Sequence, residues 1–167
     1  PTPAIARLNI AYVPENMGIF ADLTVQENLL LAARGASRAD RMDAQRLQWI
    51  FGMFPAVEKF WNHPAGKLSG GQKQMVAVAR AIVEPRDLLI VDEPSKGLAP
   101  AIIENMIAAF AQLKAGGTTI VLVEQNLAAT LALATRVYII NNGHIVHEGP
   151  AAELKAQPDI LQRHLGV

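Results

Sequence analysis

The sequence predicts an α/β fold with parallel strands, and three observations lead to this prediction. Residues 88–91 and 119–123 are short apolar runs of strand length, and the segment between them has helical spacing. Two further apolar segments flank Asn-Asn-Gly at residues 141–143, which is typical of a hairpin turn. The segment 24–61 has helical patterns only and could form its own subdomain. Strands that alternate with helices indicate an α/β architecture.

The first part of the chain predicts one strand and then two helices. Residues 8–14 are expected to be extended. A Thr-x-x-Glu capping box at residues 24–27 begins a helix that we expect to end near Arg34, before Gly35. A second helix is expected from Asp40 to Phe54, because its apolar residues share one face. That face consists of Leu47, Ile50, Phe51 and Phe54.

The second part of the chain predicts alternating helices and strands. Pro100 suits the first turn of a helix, and Gly116-Gly117 would end it. Residues 119–123 are rich in β-branched side chains, so we expect a buried strand there. The other expected elements are helices over residues 69–83 and 126–134, a strand over residues 88–91, the hairpin, and two short helices over residues 150–165.

Composition excludes several kinds of site. Of the 167 residues, 51% are hydrophobic, and 15 lysines and arginines balance 15 aspartates and glutamates. This balance argues against a nucleic-acid partner, which usually requires a basic excess. No cysteine is present, so disulfides, thiolate metal sites and thiol nucleophiles are excluded. No apolar run approaches the roughly 20 residues that span a bilayer.

Two adjacent carboxylates, Asp92 and Glu93, follow the apolar run 88–91. At the carboxyl end of a parallel strand both side chains could reach the crevice where ligands bind in open α/β sheets. In phosphoryl transfer an aspartate there holds Mg²⁺, and the next acid can orient and polarise the attacking water. Two acids could also simply end a strand and begin a turn.

A glycine-rich turn, Leu-Ser-Gly-Gly-Gln at residues 68–72, precedes those acids by twenty residues. Ser69, Gly70 and Gly71 would lie at a helix N-terminus, where backbone N–H groups and the helix dipole favour an anion. The glycines let a phosphate approach the backbone, and the Ser69 hydroxyl adds a donor. An isolated Ser-Gly-Gly is more often a flexible turn. No G-x-x-x-x-G-K-[ST] occurs in the chain, so these residues amount to half of an ATP site.

The glycine-rich turn and the acid pair, in this order and spacing, resemble the signature motif and Walker B strand of the ATP-binding cassette (ABC) ATPases. The chain is most similar to ATP-binding subunits of branched-chain amino-acid importers, from Ala11 onward. Glu15 lies where the family has the Q-loop glutamine, and residues 92–100 match Walker B and the D-loop. Gln125 lies at the switch region, in place of histidine. The resemblance implies a partial P-loop NTPase (ABC ATPase) core, an all-helical subdomain, and a C-terminal β-hairpin with helices.

The resemblance also implies roles for the individual residues toward ATP and Mg²⁺. Asp92 would support Mg²⁺, Glu93 would polarise the attacking water, and Gln125 would sense the γ-phosphate. Glu15 keeps an acceptor oxygen for a cofactor contact, whereas Gln125 can donate a hydrogen bond but cannot carry a proton. The residues expected to contact the γ-phosphate bound by a partner subunit are Ser69, Gly70, Gly71 and Gln72.

Near the acid pair, the role of one residue stays open and another residue departs from the general family pattern. Lys96 is either a solvated lysine or a phosphate contact. Ala99 stands where many members of the family have aspartate.

The resemblance implies three regions and several partners. Residues 1–23 would hold the Q-loop region and the end of the N-terminal core, residues 24–83 the helical subdomain with the signature, and residues 84–167 the rest of the ATPase core. The partners would be a second ABC ATPase subunit, transmembrane permease subunits and, indirectly, a periplasmic solute-binding protein, with the chain at the cytoplasmic face of the inner membrane. Candidate permease contacts, which could equally be core residues, are Trp49, Phe51, Phe54 and Trp61.

Two other functions stay open at the level of sequence. The chain could be a non-catalytic interaction fragment that carries the signature only, or a non-transport ABC ATPase that acts in translation or DNA repair. The chain begins at Pro1 rather than methionine, so we expect an interior piece of a longer subunit. Without a phosphate-cradling loop, this piece alone is expected to be inactive as an ATPase.

Overall fold

The computed structural model describes residues 8–33 and 42–165. These residues belong to two compact units, divided between Gln125 and Asn126. No helix in the described part of the chain is both long and apolar enough to cross a membrane.

The first unit contains a three-stranded parallel sheet. Its strands are β1 (Ile10–Val13), β2 (Leu88–Asp92) and β3 (Thr119–Val123), in the order β1-β2-β3. Both pairings are parallel, as predicted, and they place Ala11, Leu89 and Ile120 side by side. The carboxyl ends of all three strands therefore lie at one edge of the sheet, which we call the carboxyl edge.

The two faces of this sheet differ in burial. Ala11, Leu89 and Val91 are buried on one face, because helices pack against it. On the other face Val121 is 47% exposed and Val123 is 50% exposed. Residues 119–123 were expected to form a buried strand, and the prediction of burial was wrong. The strand is present, but among the described residues it pairs on one side only, and one of its faces is open.

Between β1 and β2, the described residues form five helical segments joined by loops. In chain order they are α1 (Val25–Ala32), α2 (Ala44–Met53), α3 (Pro55–Lys59), a 3₁₀ turn (Ala65–Lys67) and α4 (Gly70–Ala81). The capping box of α1 is confirmed: the Glu27 N–H donates to Thr24 Oγ1 at 3.2 Å, and Glu27 Oε2 accepts from the Thr24 N–H at 2.8 Å.

The predicted end of α1, at Arg34 before Gly35, lies outside the described residues, and so does the predicted start of α2 at Asp40. The observed start of α2 is later than expected, because the Asp43 carboxylate accepts from the Arg46 N–H at 2.6 Å and caps the helix there. The apolar face of α2 is confirmed.

The four side chains of that apolar face are not equally buried. Ile50 and Phe54 are fully buried, while Leu47 and Phe51 are half-buried. Phe51 meets Trp61 edge to face, with the ring centroids 5.2 Å apart. Phe51 and Trp61 are both half-buried, so each side chain contributes to the core and also to the surface.

Helix α5 (Pro100–Ala115) connects β2 to β3 and begins with Pro100 at its first position, as predicted. Its buried side includes Met106 and Phe110. It ends at Gly116, and Gly117 has a left-handed backbone with φ of +92°, a conformation that favours glycine.

The second unit contains helices α6 (Leu127–Leu133), α7 (Ala151–Ala156) and α8 (Pro158–Leu165) and a hairpin of β4 (Arg136–Asn141) and β5 (His144–Pro150). The hairpin prediction is confirmed: Asn142 and Gly143 have φ of +47° and +78°, as a two-residue primed turn requires. The core of this unit consists of Ile139, Leu154 and Leu161.

Candidate functional site

The backbone at Glu93 leaves the sheet in an uncommon conformation. Its φ is +44°, a region that residues other than glycine rarely adopt, and its N–H donates to the Val123 carbonyl at 2.8 Å. Adjacent residues of a strand point to opposite faces, but this left-handed residue ends the alternation immediately after Asp92. Strained backbone of this kind persists only where its surroundings hold it, and it clusters at functional sites.

The Glu93 carboxylate is held by two donors. Gln125 Nε2 donates to Oε1 at 2.6 Å, and Lys96 Nζ lies 3.2 Å from Oε2. The hydrogen bond from Gln125 is the largest cause that lowers the pKa of Glu93, followed by the hydrogen bond from Lys96. Glu93 is therefore ionised near neutral pH and acts as a hydrogen-bond acceptor only.

Lys96 contacts a second carboxylate as well. Its Nζ lies 2.5 Å from Oε1 of Glu15, in the loop that follows β1. Hydrogen bonds to Glu15 and then to Glu93 raise the pKa of Lys96, so its ammonium is charged. The sequence left Lys96 as either solvated or a phosphate contact. In the structure its ammonium bridges two carboxylates from separate loops.

Asp92, at the end of β2, has a partner on the neighbouring strand. The Tyr12 hydroxyl donates to Asp92 Oδ2 at 3.4 Å, and the rest of this half-buried carboxylate is left to accept other ligands. No group of three or more His, Cys, Asp or Glu side chains suited to a metal ion occurs in residues 8–33 and 42–165. A cation at Asp92 would therefore need further ligands from substrate or water, which is the usual arrangement for Mg²⁺ with phosphates.

Glu124 is a residue of this edge to which the sequence assigned no role. Its Oε1 accepts from the Ser95 N–H at 2.8 Å, and Ser95 itself is buried. This bond ties the turn after Glu93 to the end of β3. In the sequence, only its position could have indicated a role for Glu124: it directly follows the last residue of β3, as Glu93 directly follows Asp92, the last residue of β2.

The glycine-rich turn begins α4 as predicted. Ser69 is the N-cap: Gln72 Oε1 accepts from the Ser69 N–H at 2.9 Å, and the Gln72 N–H donates to Ser69 Oγ at 3.4 Å. Ser69 and Gly70 are exposed, and a Cβ added to Gly70 would meet no atom within 4 Å. A Cβ added to Gly71 would lie 3.4 Å from Ile102. The turn thus presents an open backbone at a helix N-terminus, which favours an anion.

The eight predicted site residues form two groups. The first group lies at the carboxyl edge and comprises Glu15, Asp92, Glu93 and Gln125. The second lies at the N-terminus of α4 and comprises Ser69, Gly70, Gly71 and Gln72. No hydrogen bond joins the two groups within the described residues.

Arg80 of α4 reaches the loop after β1 and so connects the signature helix to the segment that carries Glu15. Its guanidinium donates to the carbonyls of Gly18 at 2.7 Å and Met17 at 3.2 Å. It also lies over the Phe20 ring, 5.6 Å from the ring centroid. Burial lowers the pKa of Arg80, but an arginine stays charged at any ordinary pH.

Asn28 of α1 holds the same loop from another helix. The Phe20 N–H donates to Asn28 Oδ1 at 3.0 Å, and Asn28 Nδ2 donates to the carbonyls of Phe20 at 3.0 Å and Thr24 at 2.9 Å. Asn28 is fully buried, and its carboxamide gives the Phe20 N–H an acceptor and gives the Phe20 and Thr24 carbonyls a second donor.

Comparisons with known proteins bear on the identity of this chain. A model of the ABC transporter family matches residues 2–96. The high-affinity branched-chain amino acid transport ATP-binding protein BraG of Pseudomonas aeruginosa is 40% identical over 99% of this chain and 70% of its own length. A probable branched-chain amino acid transport ATP-binding protein, LivF of Archaeoglobus fulgidus, is 36% identical over 100% of this chain and 70% of its own length.

Solved structures agree with these sequence relatives. An ATP-binding subunit of an ABC transporter superposes with a TM-score of 0.79 at 29% identity, covering 95% of this chain and 65% of that one. A dimeric ATP-binding cassette in a post-hydrolysis state, bound to ADP and Pi, gives a TM-score of 0.75 at 27% identity, covering 89% of this chain and 66% of that one. The chain thus spans about two thirds of the length of the proteins that it matches.

Proposed function

This chain belongs to the ABC transporter family of ATP-binding proteins, and from that premise we propose that it acts within an ATPase subunit that powers the import of branched-chain or related amino acids. The solute class is supported by BraG and LivF, whose names assign them to branched-chain amino-acid transport. The observation that carries the enzymatic part is Glu93, an ionised carboxylate held at the carboxyl edge between Gln125 and Lys96.

The proposed role of Glu93 is to polarise the water that attacks the γ-phosphate of ATP. A carboxylate suits this task because it accepts a hydrogen bond from the water and can take up its proton. Gln125 would orient Glu93 in the resting state and meet the γ-phosphate when nucleotide is bound. A glutamine can exchange these partners, because its amide donates two hydrogen bonds.

Asp92 is proposed to hold Mg²⁺, and Glu15 to contact the cofactor from the loop after β1. When bound, the cation would neutralise phosphate charge. Asp92 suits this role because Tyr12 occupies only part of its acceptor capacity. The signature residues Ser69, Gly70, Gly71 and Gln72 are proposed to face the γ-phosphate of ATP bound by a second subunit, where an open helix N-terminus favours an anion.

We further propose the assembly in which this chemistry occurs. Two such subunits, identical or sister, would pair and enclose ATP, and the dimeric relative with ADP and Pi supports pairing. The permease would contact the helical region 24–83, and a periplasmic solute-binding protein would act indirectly. The region 1–23 would belong to the N-terminal core and the region 84–167 to the rest of the core. The subunit would lie at the cytoplasmic face of the inner membrane.

The test is Glu93→Gln in the protein assembled with its partner subunit and permease. Loss of the acceptor charge should reduce the rate of phosphate release by roughly 10²- to 10⁴-fold, the range of general acid–base contributions. ATP binding should persist, because the substitution removes no contact expected of the nucleotide. Glu104→Gln is the matched control, since Glu104 is an exposed acid on α5.

Two results would contradict the proposal. Hydrolysis by Glu93→Gln at the wild-type rate would remove Glu93 from the reaction. A wild-type assembly that binds its partners but neither binds nor hydrolyses ATP would favour the non-catalytic interaction function instead.

A further inference from the structure

We propose that Lys96 is a positioning residue, whose ammonium ties Glu93 to Glu15 and thereby sets the direction in which the Glu93 carboxylate faces the attacking water. This inference rests on the proposed function of Glu93. It assigns to Lys96 a role in positioning Glu93, whereas the sequence indicated only a solvated side chain or a phosphate contact.

The geometry supports a bridge rather than a single ion pair. Lys96 Nζ lies 2.5 Å from Glu15 Oε1 and 3.2 Å from Glu93 Oε2. The other oxygen of Glu93 accepts from Gln125 at 2.6 Å. Each oxygen of Glu93 therefore has its own donor, one from the turn after β2 and one from the end of β3. Two donors fix the plane of a carboxylate, which one donor would leave free to rotate.

The backbone of the turn fixes where the ammonium can reach. The Lys96 N–H donates to the Glu93 carbonyl at 3.2 Å, and the N–H of its neighbour Ser95 donates to Glu124 at 2.8 Å. Gly97, immediately after Lys96, has a left-handed backbone with φ of +69°. The tight turn thus keeps the Lys96 side chain beside Glu93, three residues earlier, and close to the loop after β1.

Exposure indicates that this bridge does little for folding. The side chain of Lys96 is 61% exposed and that of Glu15 is 53% exposed. Ion pairs at such exposure contribute little to stability, because water and salt screen them. The Glu93 side chain is only 19% exposed. The consequence of losing Lys96 is therefore expected in the orientation of Glu93 rather than in the stability of the fold.

A simpler alternative is that Lys96 only balances charge. Glu15, Asp92, Glu93 and Glu124 all lie at the carboxyl edge, and nearby like charges disfavour one another. Under this alternative, removing the charge of Glu15 together with that of Lys96 would restore function. Under the positioning proposal it would not, because Glu93 would still lack the donor to Oε2.

The first experiment tests the bridge in the isolated chain and does not depend on hydrolysis. The ¹⁵Nζ resonance of Lys96 is assigned by its loss in Lys96→Met and is then followed in Glu15→Gln and in Glu93→Gln. The proposal expects both variants to shift the resonance, with no shift in Glu104→Gln. A resonance that responds to one carboxylate only, or to neither, overturns the bridge.

The second experiment measures ATP hydrolysis by the assembled protein. Lys96→Met should lower kcat by roughly 10- to 100-fold, the scale of small misplacements of catalytic groups, with little change in KM for ATP. Lys96→Arg should recover most of kcat, because it keeps a charged donor. Lys155→Met, which removes an exposed lysine of α7, should behave as wild type.

The double variant Glu15→Gln/Lys96→Met decides between positioning and charge balance. A kcat as low as that of Lys96→Met supports positioning, and recovery to the wild-type value overturns it. A Lys96→Met variant within twofold of wild type, or one that changes KM alone, also overturns it. An inactive wild type would instead count against the proposed function, while the resonance experiment would still decide whether the bridge exists.

Discussion

Asn28 offers a direct test of how the loop after β1 is held in place. Its side chain is fully buried, and its carboxamide is hydrogen-bonded to the backbone of Phe20 and Thr24. The perturbation is Asn28→Ala, which removes the carboxamide and leaves α1 with a better helix former. The matched control is Asn62→Ala, because Asn62 is exposed.

The expected magnitude follows from which backbone groups lose every partner. The Thr24 carbonyl keeps the helical bond from the Asn28 N–H at 3.0 Å, and the Phe20 carbonyl keeps the Leu23 N–H at 3.2 Å. The Phe20 N–H, which donates to Asn28 Oδ1, loses the partner that the structure gives it. Losing this part-buried bond together with the fully buried Asn28 carboxamide is expected to cost about 1–3 kcal/mol, so we expect a loss near 2 kcal/mol in the free energy of unfolding.

Urea denaturation followed by tryptophan fluorescence measures this loss. Both tryptophans, Trp49 and Trp61, belong to the first unit and so report its unfolding. With a typical urea dependence, the midpoint of Asn28→Ala should fall by roughly 1 M. Asn62→Ala should stay within about 0.5 kcal/mol of wild type. If both variants unfold at the same urea concentration as wild type, the loop is not held by Asn28.

Two further predictions concern a close backbone approach and the charge of Glu93. A Cβ at Gly66 would lie 2.9 Å from the Ala21 carbonyl oxygen, so Gly66→Ala should destabilise by about 1–3 kcal/mol in thermal unfolding. Gly52 lies in the last turn of α2, where an added Cβ would meet no atom within 4 Å, so Gly52→Ala should instead gain up to about 1 kcal/mol. Equal changes in stability for the two variants would contradict the clash at Gly66. The pKa of Glu93 is lowered in the folded state, so its stabilising contribution is present above the ordinary glutamate pKa and is lost as the pH falls through the folded value. Gln125→Ala should raise that pKa toward the ordinary value in a ¹³C NMR titration, and an unchanged titration would exclude the Gln125 hydrogen bond as its cause.

Local signals predicted much of the fold. The capping box at Thr24 and Glu27 was recognisable because both reciprocal partners lie within four residues. The strand before Asp92 and the hairpin around Gly143 were equally local, since an apolar run and a positive-φ turn need no distant residue.

Features that depend on distant residues could not be predicted in this way. Lys96 meets Glu15 across 81 positions of sequence, and Ser95 meets Glu124 across 29. The exposure of Val121 depends on which segments cover the sheet, and strand propensity carries no information about that. The acid pair was recognisable from sequence, but the donors that orient it were visible only in three dimensions.

The attachment of the loop after β1 has a mechanical consequence. Residues 17–20 are fastened to the helices, through Arg80 of α4 and Asn28 of α1, while Glu15 is fastened to the sheet side through Lys96. A rigid-body rotation of those helices relative to the sheet would therefore carry one end of the loop along and stretch the other. The Lys96–Glu15 ion pair is exposed to water and salt, which weaken such pairs, so we expect it to separate before the bonds of the buried Asn28 side chain. Lys96 would then stay beside Glu93, three residues earlier in the same turn, but would lose the restraint that Glu15 places on it.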